Sequence, residues 1–234
     1  MTSSATSTAL PHRLDRTVVI RAPRESVFRF FTDSARWAKW WGAGSSIDPR
    51  PGGDVRIRYP EGTEASGEVL EIHEPERIVF SYGYTSGKPI PAGGSRVTIE
   101  LRKHVAGTEL HLWHEFAEAA VRDQHVQGWR YQVAVFANVV ADEIHAGASD
   151  IVDGWFQAWS LANEQSRNEL LAEIAVAEIR FQDRFSLVDG LPDLSAHLAA
   201  CQRFMPGVHL QRKGDIRHCQ GTVISDWFFL RLKS

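Results

Sequence analysis

The sequence is poor in the residues and motifs that mark several functional classes. Its 234 residues include two cysteines, Cys201 and Cys219, and no Cys-x-x-Cys pair. Such sparse cysteines predict free thiols in a reducing compartment, rather than a disulfide framework or a cysteine zinc site. The motifs Gly-x-Ser-x-Gly, Gly-x-x-x-x-Gly-Lys-Ser/Thr and Gly-x-Gly-x-x-Gly are absent too, so nothing indicates a hydrolase elbow, a P-loop or a dinucleotide fingerprint.

Charge and hydropathy exclude further partners. The net charge is −3, which gives no electrostatic reason to expect binding to nucleic acid or an anionic membrane. No apolar run approaches the length of a membrane span. The start, MTSSATSTALPHR, lacks the basic and apolar segments of a signal peptide. We therefore expect a cytoplasmic protein whose residues 1–13 form a disordered tail.

The histidines do not form a metal-binding pattern. His111 and His114 lie three apart on one predicted strand, so their side chains face opposite sides of the sheet. His104 falls on another strand. Because no three ligands converge, we expect neither a metal ion nor any other cofactor.

One long segment, Val121 to His145, predicts an amphipathic helix. Apolar residues recur along it at spacings of three and four, at Val126, Trp129, Val133, Phe136, Val140 and Ile144. The opposite side is polar. A helix of about 24 residues is roughly 36 Å long, so its apolar stripe requires a broad surface such as a sheet.

The residues before this helix predict that sheet. Short segments with apolar residues at every second position alternate with Gly- and Pro-rich turns, which is typical of an antiparallel sheet with one apolar face. The predicted strands are 17–21, 45–48, 54–59, 67–73, 77–84, 96–103 and 109–116, and two short helices follow the first of them. An α+β fold, with one sheet packed on one helix, is therefore expected.

Several phrases of this region, taken in order, resemble a known superfamily. They are VVIRAPRESVFRFFTD, WWG, PGGDVRI, GEVLEIHEPERIVFSY, GTELHLWHEF and GWRYQ. Together they resemble the START-like (SRPBCC) superfamily, and within it the branch named after the activator of the heat-shock-protein ATPase. The resemblance covers about residues 14–146. It implies a helix-grip domain, for which we set the bounds 14–147, with an apolar cavity between the sheet and its long C-terminal helix.

The remaining residues, 148–234, predict a second and shorter α+β domain. Helical patterns near 150–162, 169–174 and 191–205 alternate with strand patterns at 179–186, 208–213 and 216–230. The phrases WFQAWS, IRFQDRFS, GLPDLSAHL and HCQGTVISDWFFL resemble the nuclear transport factor 2-like, polyketide-cyclase-like fold, a cone of helices on a curved sheet. That fold commonly continues with one or two further strands. An incomplete cone, with an open sheet edge that invites a homodimer, is therefore an expectation.

Alternation and helical spacing place a set of side chains between the sheet and the long helix. A pocket lined by aromatic rings with a few polar groups suits a small apolar ligand. The candidate ligand-binding residues are Trp41, Tyr59, Phe80, Tyr82, Leu112, His114, Trp129, Val133 and Phe136. The same side chains could simply form the core, and His114 could be a ligand anchor, a general base or a hydrogen-bonded core histidine.

The second domain offers a candidate acid–base pair. Asp183 shares the face of its predicted strand with Ile179, Phe181 and Phe185, where burial should raise the pKa of a carboxyl group. His197 lies near the apolar stripe of its helix. Both are candidate catalytic residues, although Asp183 could equally be a paired, inert carboxylate.

Three functional hypotheses remain open. The favoured one is binding of a hydrophobic small molecule in the START-like cavity, without a required catalytic step. The second is an enzyme of polyketide cyclase, isomerase or dehydratase type that uses Asp183 and His197. The third is an interaction module related to chaperone-ATPase activation or the stress response. The sequence alone does not decide whether the protein is an enzyme.

Overall fold

The computed structural model describes residues 9–231, and the chain divides between Ile144 and His145 into two compact units. The predicted boundary after residue 147 lies just beyond this division. Residues 1–8 of the predicted tail are outside the described range. His12 and Arg13, which that tail included, belong instead to the first strand, where they pair with Phe116 and Glu115. None of the helices in the described range is long and apolar enough to cross a membrane.

The first unit is an antiparallel sheet with one long helix. Its strands are β1 (His12–Ile20), β2 (Ser46–Ile47), β3 (Asp54–Arg58), β4 (Glu64–His73), β5 (Arg77–Tyr84), β6 (Ser95–His104) and β7 (Gly107–Phe116). They form one sheet in the order β1-β7-β6-β5-β4-β3-β2. The α+β prediction for this region is confirmed. Side chains alternate between the two faces of a strand, so apolar residues at every second position place one face toward the core.

Three helices accompany this sheet. They are α1 (Arg24–Phe28), α2 (Ser34–Trp41) and α3 (Ala119–Ile144), and a short 3-10 turn, Arg29–Phe31, follows α1. Asp33 caps α2, as its carboxylate accepts from the backbone N–H groups of Ala35 and Arg36. Gly42 ends α2 with φ +140, a backbone conformation that favours glycine. α3 is the predicted long helix, and it begins two residues earlier than the sequence pattern suggested.

The core of the first unit lies between the sheet and α3, and aromatic rings fill much of it. Phe31 stacks on Phe136 of α3 at a centroid distance of 5.0 Å. Trp40 meets the same ring edge-on at 4.9 Å, and Trp37 meets Phe80 of β5 edge-on at 5.7 Å. α2 therefore sends its tryptophans inward between the sheet and the long helix.

The second unit contains three helices and two hairpins. Its elements are α4 (Ala148–Ser160), α5 (Glu164–Ile174), β8 (Arg180–Gln182), β9 (Leu187–Asp189), α6 (Leu191–Phe204), β10 (Val208–Cys219) and β11 (Thr222–Arg231). The predicted single strand at 179–186 is wrong, because the chain turns between β8 and β9. The strands form two separate two-stranded sheets, β8–β9 and β10–β11, rather than one curved sheet.

The aromatic core gives a direct stability test. Replacing Phe136 with alanine should lower the free energy of unfolding of the first unit by about 3–5 kcal/mol, because the ring is 1% exposed and stacked on Phe31. Tyr131→Ala on the same helix is the matched control, since that ring is 70% exposed, and should cost under about 1 kcal/mol. Urea unfolding followed by the Trp129 indole NMR signal measures both. Equal losses in the two variants would contradict this account of the core.

Candidate functional site

A pocket of about 820 Å³ opens in the first unit, where α2, β5 and α3 approach one another. Its size suits a small organic molecule. Aromatic side chains form much of its wall, and polar groups lie among them. The wall includes Trp40, Trp41, Tyr59, Tyr82, Tyr84, His125, Gly128, Trp129 and Gln132. Lys39, Lys88 and Glu61 also line it.

Tryptophans from two helices supply the apolar side of the pocket. Trp41 of α2 lies 5.6 Å from Trp129 of α3 and 5.8 Å from Tyr59, in edge-on arrangements. Gln132 fixes α2 beside α3, because its side-chain amide donates a hydrogen bond to the carbonyl of Trp40. The indole N–H groups of Trp40 and Trp41 are buried without an acceptor in the described range.

Tyrosine hydroxyl groups form part of the polar side of the pocket. The Tyr59 and Tyr82 hydroxyls are hydrogen-bonded at 2.9 Å. Burial raises the pKa of both phenols above its usual value, so neither ionises in the physiological range. The Tyr84 hydroxyl lies 3.2 Å from Nε2 of His125, whose Nδ1 is 2.8 Å from the Val121 carbonyl. The tyrosines are therefore suited to hydrogen-bond a ligand rather than to remove a proton from it.

His114 lies beneath the pocket and is fully buried. Trp129 Nε1 donates to its Nδ1 at 2.8 Å. Its Nε2 lies 2.7 Å from the Ser95 hydroxyl, which itself donates to the Tyr82 carbonyl at 2.7 Å. Nε2 must therefore carry the proton, and Nδ1 must be the acceptor. Burial, with the nearby His125, lowers the pKa of His114 well below its ordinary value, so this neutral ring orders the core and does not reach the pocket.

The predicted ligand residues separate into two groups. Trp41, Tyr59, Tyr82 and Trp129 line the pocket. Phe80, Leu112, His114, Val133 and Phe136 are all at most 8% exposed and lie in the core beneath it, because the rings of α2 and Phe31 occupy the space between sheet and helix.

Sequence reasoning missed several lining residues. Trp40, Tyr84, His125 and Gln132 line the pocket, although none was a candidate. The signal was present in α3, where His125, Gly128, Trp129 and Gln132 recur at helical spacing beside the predicted apolar stripe. Tyr84 sits two residues after Tyr82 and so shares its face of β5.

A second pocket, of about 640 Å³, lies in the second unit and is mostly apolar. Helices α4 and α6, strands β8, β10 and β11, and the turn after β8 contribute to its wall. Trp155, Trp159, Phe181, Trp227 and Phe229 are among its rings, and Asp183, Phe185 and Cys201 lie beside them. His197 is near this group, with Nε2 at 3.8 Å from Asp183 Oδ2 and 3.6 Å from Cys201 Sγ.

The predicted rise in the pKa of Asp183 is wrong. Asp183 begins the turn after β8, and its Oδ1 accepts from the backbone N–H groups of Phe185 at 2.7 Å and Ser186 at 2.6 Å. These bonds, with a contribution from His197, lower the pKa of the carboxyl group. Burial also raises the pKa of the Cys201 thiol. Asp183 and His197 do lie close together, but the carboxylate is a turn-forming group with the opposite pKa shift to that expected of a general base.

Comparisons with known proteins find relatives of the first unit. A family model described as Activator of Hsp90 ATPase homolog 1-like protein matches residues 21–141. No curated protein sequence matches the chain significantly. Among solved structures, a protein from Mesorhizobium loti is 18% identical and superposes with a TM-score of 0.50, covering 56% of this chain and 98% of its own. That likeness shows the fold of the first unit.

Two further solved structures are similar at lower TM-scores. An AHSA1-like protein from Rhizobium etli is 26% identical with a TM-score of 0.44, covering 56% of this chain and 84% of its own. The Aha1 dimer from Colwellia psychrerythraea is 15% identical with a TM-score of 0.45, covering 52% of this chain and 90% of its own.

The buried imidazole predicts a specific pH dependence. Because the pKa of His114 is lowered in the folded state, the unfolded chain binds a proton below pH ~6.5 that the folded chain does not. The His114 imidazole should therefore leave the free energy of unfolding unaffected above that pH. Below it, the free energy of unfolding should fall with pH, by at most about 1.4 kcal/mol per pH unit.

Urea unfolding from pH 7.5 to pH 5 measures this slope. His114→Gln should be less stable at pH 7.5 and should lose part of the pH dependence. A variant with an unchanged slope would show that His114 is not the group responsible. His125, whose pKa burial also lowers, supplies a second part of the slope, and His125→Gln separates the two.

Proposed function

The chain belongs to the family of Activator of Hsp90 ATPase homolog 1-like proteins, and from that premise we propose that its first unit binds an apolar small molecule in the pocket between α2, β5 and α3. The observation that carries the proposal is the pocket itself: about 820 Å³, walled by tryptophan and tyrosine rings. A ring or short hydrocarbon of a ligand gains most by leaving water for such a wall.

The polar groups define the ligand further. The Tyr59–Tyr82 hydroxyl pair offers a donor and acceptors to a ligand in the pocket. A ligand with one hydroxyl or carbonyl oxygen on an apolar body matches this distribution. Lys39, Lys88 and Glu61 give the lining only a small excess of positive charge, so a highly charged ligand is disfavoured.

Binding without catalysis fits these groups best. Burial raises the pKa of Tyr59 and Tyr82, so both stay protonated near neutral pH. His114 has both nitrogens engaged inside the core and does not line the pocket. The tyrosine pair thus supplies neutral hydrogen bonds, and His114 is not available to exchange a proton with a bound ligand.

Gly128 provides a test that leaves the rest of the pocket intact. It lies on α3 within the pocket wall, and a Cβ at this position meets no atom within 4 Å. Gly128→Leu should therefore fill part of the pocket without lowering stability, since glycine is a poor helix former. With 2-naphthol as the probe, calorimetric titration of the full chain should show binding that falls at least tenfold in this variant.

The matched control is Ala134→Leu, an exposed position of α3 outside the pocket, which should bind 2-naphthol as the unsubstituted chain does. Tyr59→Phe and Tyr82→Phe should weaken binding of 2-naphthol about fivefold and leave naphthalene nearly unaffected, because only the hydroxyl is lost. If Gly128→Leu binds the probe with unchanged affinity, this pocket is not the site.

Activation of an Hsp90 ATPase is the second candidate, and the family match is the observation in its favour. A single assay distinguishes ATPase activation from ligand binding. ATP hydrolysis by purified Hsp90 should rise when the full chain is added, and absence of any rise at saturating chain concentration would remove this candidate. Gly128→Leu then shows whether the two activities share the pocket.

A further inference from the structure

A buried arginine in the second unit has no carboxylate partner among the residues that the structure describes. Arg167 of α5 is 2% exposed. In the range 9–230, no Asp or Glu oxygen lies within 4.0 Å of its guanidinium nitrogens, although charged groups elsewhere in this unit pair readily, as Arg212 does with Asp153. A guanidinium withdrawn from water without a counter-charge is costly, so such groups are usually paired.

Its hydrogen bonds use only part of its donor capacity. Nε donates to the Ser195 hydroxyl at 3.2 Å, and Nη1 donates to the Leu161 carbonyl at 3.0 Å. Nη2 has no hydrogen-bond partner in the described part of the chain. These two bonds hold the guanidinium in a fixed orientation, so its planar edge is already ordered before any ligand arrives.

This arginine lines a cleft of about 530 Å³ between α5 and α6, separate from the apolar pocket of the same unit. The polar residues of the cleft are Glu164, Asn168, Ser195 and Arg203, and its apolar residues are Leu171, Leu191, Pro192, Ala196 and Ala199. Two positive charges against one negative give the lining a net positive charge. The cleft therefore joins a pre-oriented cation to an apolar wall.

We propose that the cleft between α5 and α6 binds a small monocarboxylate with a short apolar tail. The carboxylate pairs with the buried guanidinium of Arg167, with Arg203 as a second positive charge, and the tail contacts Leu171, Leu191 and Ala199. Guanidinium and carboxylate are complementary in shape and charge. Glu164 disfavours a dianion, so a monocarboxylate fits the cleft better than a phosphate does.

Hexanoate is the probe, and the full chain is titrated by calorimetry at low and high salt. Binding should weaken as salt rises, and hexanol and inorganic phosphate should each bind at least tenfold more weakly than hexanoate. Arg203→Gln should weaken hexanoate binding about threefold, since that charge is exposed. Stronger binding of phosphate than of hexanoate would overturn the assigned class.

Two alanines of α6 provide a matched pair of substitutions. Ala199 lines the cleft and Ala200 does not, yet both are half-buried on the same helix. Ala199→Leu should reduce hexanoate binding at least tenfold, and Ala200→Leu should leave it within twofold. Equal binding by the two variants would mean that hexanoate binds elsewhere, and no binding by the unsubstituted chain would leave Arg167 as a structural arginine only. Either result overturns the proposal.

Arg167→Lys tests the guanidinium itself, because it keeps the charge and loses the planar fork. A folded Arg167→Lys variant should bind hexanoate at least tenfold more weakly. If this variant does not fold, the alanine pair still decides the question.

Discussion

The hydrogen bond from the Trp129 indole to His114 is the interaction on which the first unit depends most. It attaches the long helix to the middle of the sheet. The imidazole is in turn hydrogen-bonded to Ser95, whose hydroxyl donates to the backbone carbonyl of Tyr82 in β5. The Trp129 indole, both nitrogens of His114 and the Ser95 hydroxyl are all hydrogen-bonded, which is the condition for burying polar atoms at acceptable cost. Because Trp129 also lines the pocket, the depth of the pocket is fixed by the same contact that holds the helix in place.

The elements of the first unit were predictable from local pattern, whereas the extent of its pocket was not. Period-two alternation located the long strands β5, β6 and β7, and helical spacing located α3 to within two residues. Spacing says which face a side chain occupies, but not how much space remains after its neighbours pack. Phe80 and Phe136 lie on the predicted face, yet Trp37, Trp40 and Phe31 fill the volume in front of them. The pocket is the space between the sheet and α3 that the side chains of α2 do not fill.

The second unit shows where single-residue reasoning from sequence is weakest. Asp183 was assigned a raised pKa from its place in an apolar strand, but a turn begins there and backbone donors reverse the shift. Likewise, the helix predicted near 169–174 begins too late, because α5 starts at Glu164 and Asn163 caps it. The burial of Arg167 could not be predicted from periodicity or from a motif, because a charged residue in a helix is ordinarily solvated. Its burial emerges only when α5 and α6 pack together.

The pairing of the first strand with the seventh has a consequence for synthesis of the chain. His12 pairs with Phe116 and Ile20 pairs with Thr108. Roughly a hundred further residues must therefore be synthesised after β1 before the strand that pairs with it is present. Contacts so distant in sequence slow folding, because a long loop must close before any pairing is gained. During translation the hairpins from β3 to β7 can assemble in order as they leave the ribosome, while β1 remains an unpaired strand. The sheet is completed only from its last strand back to its first.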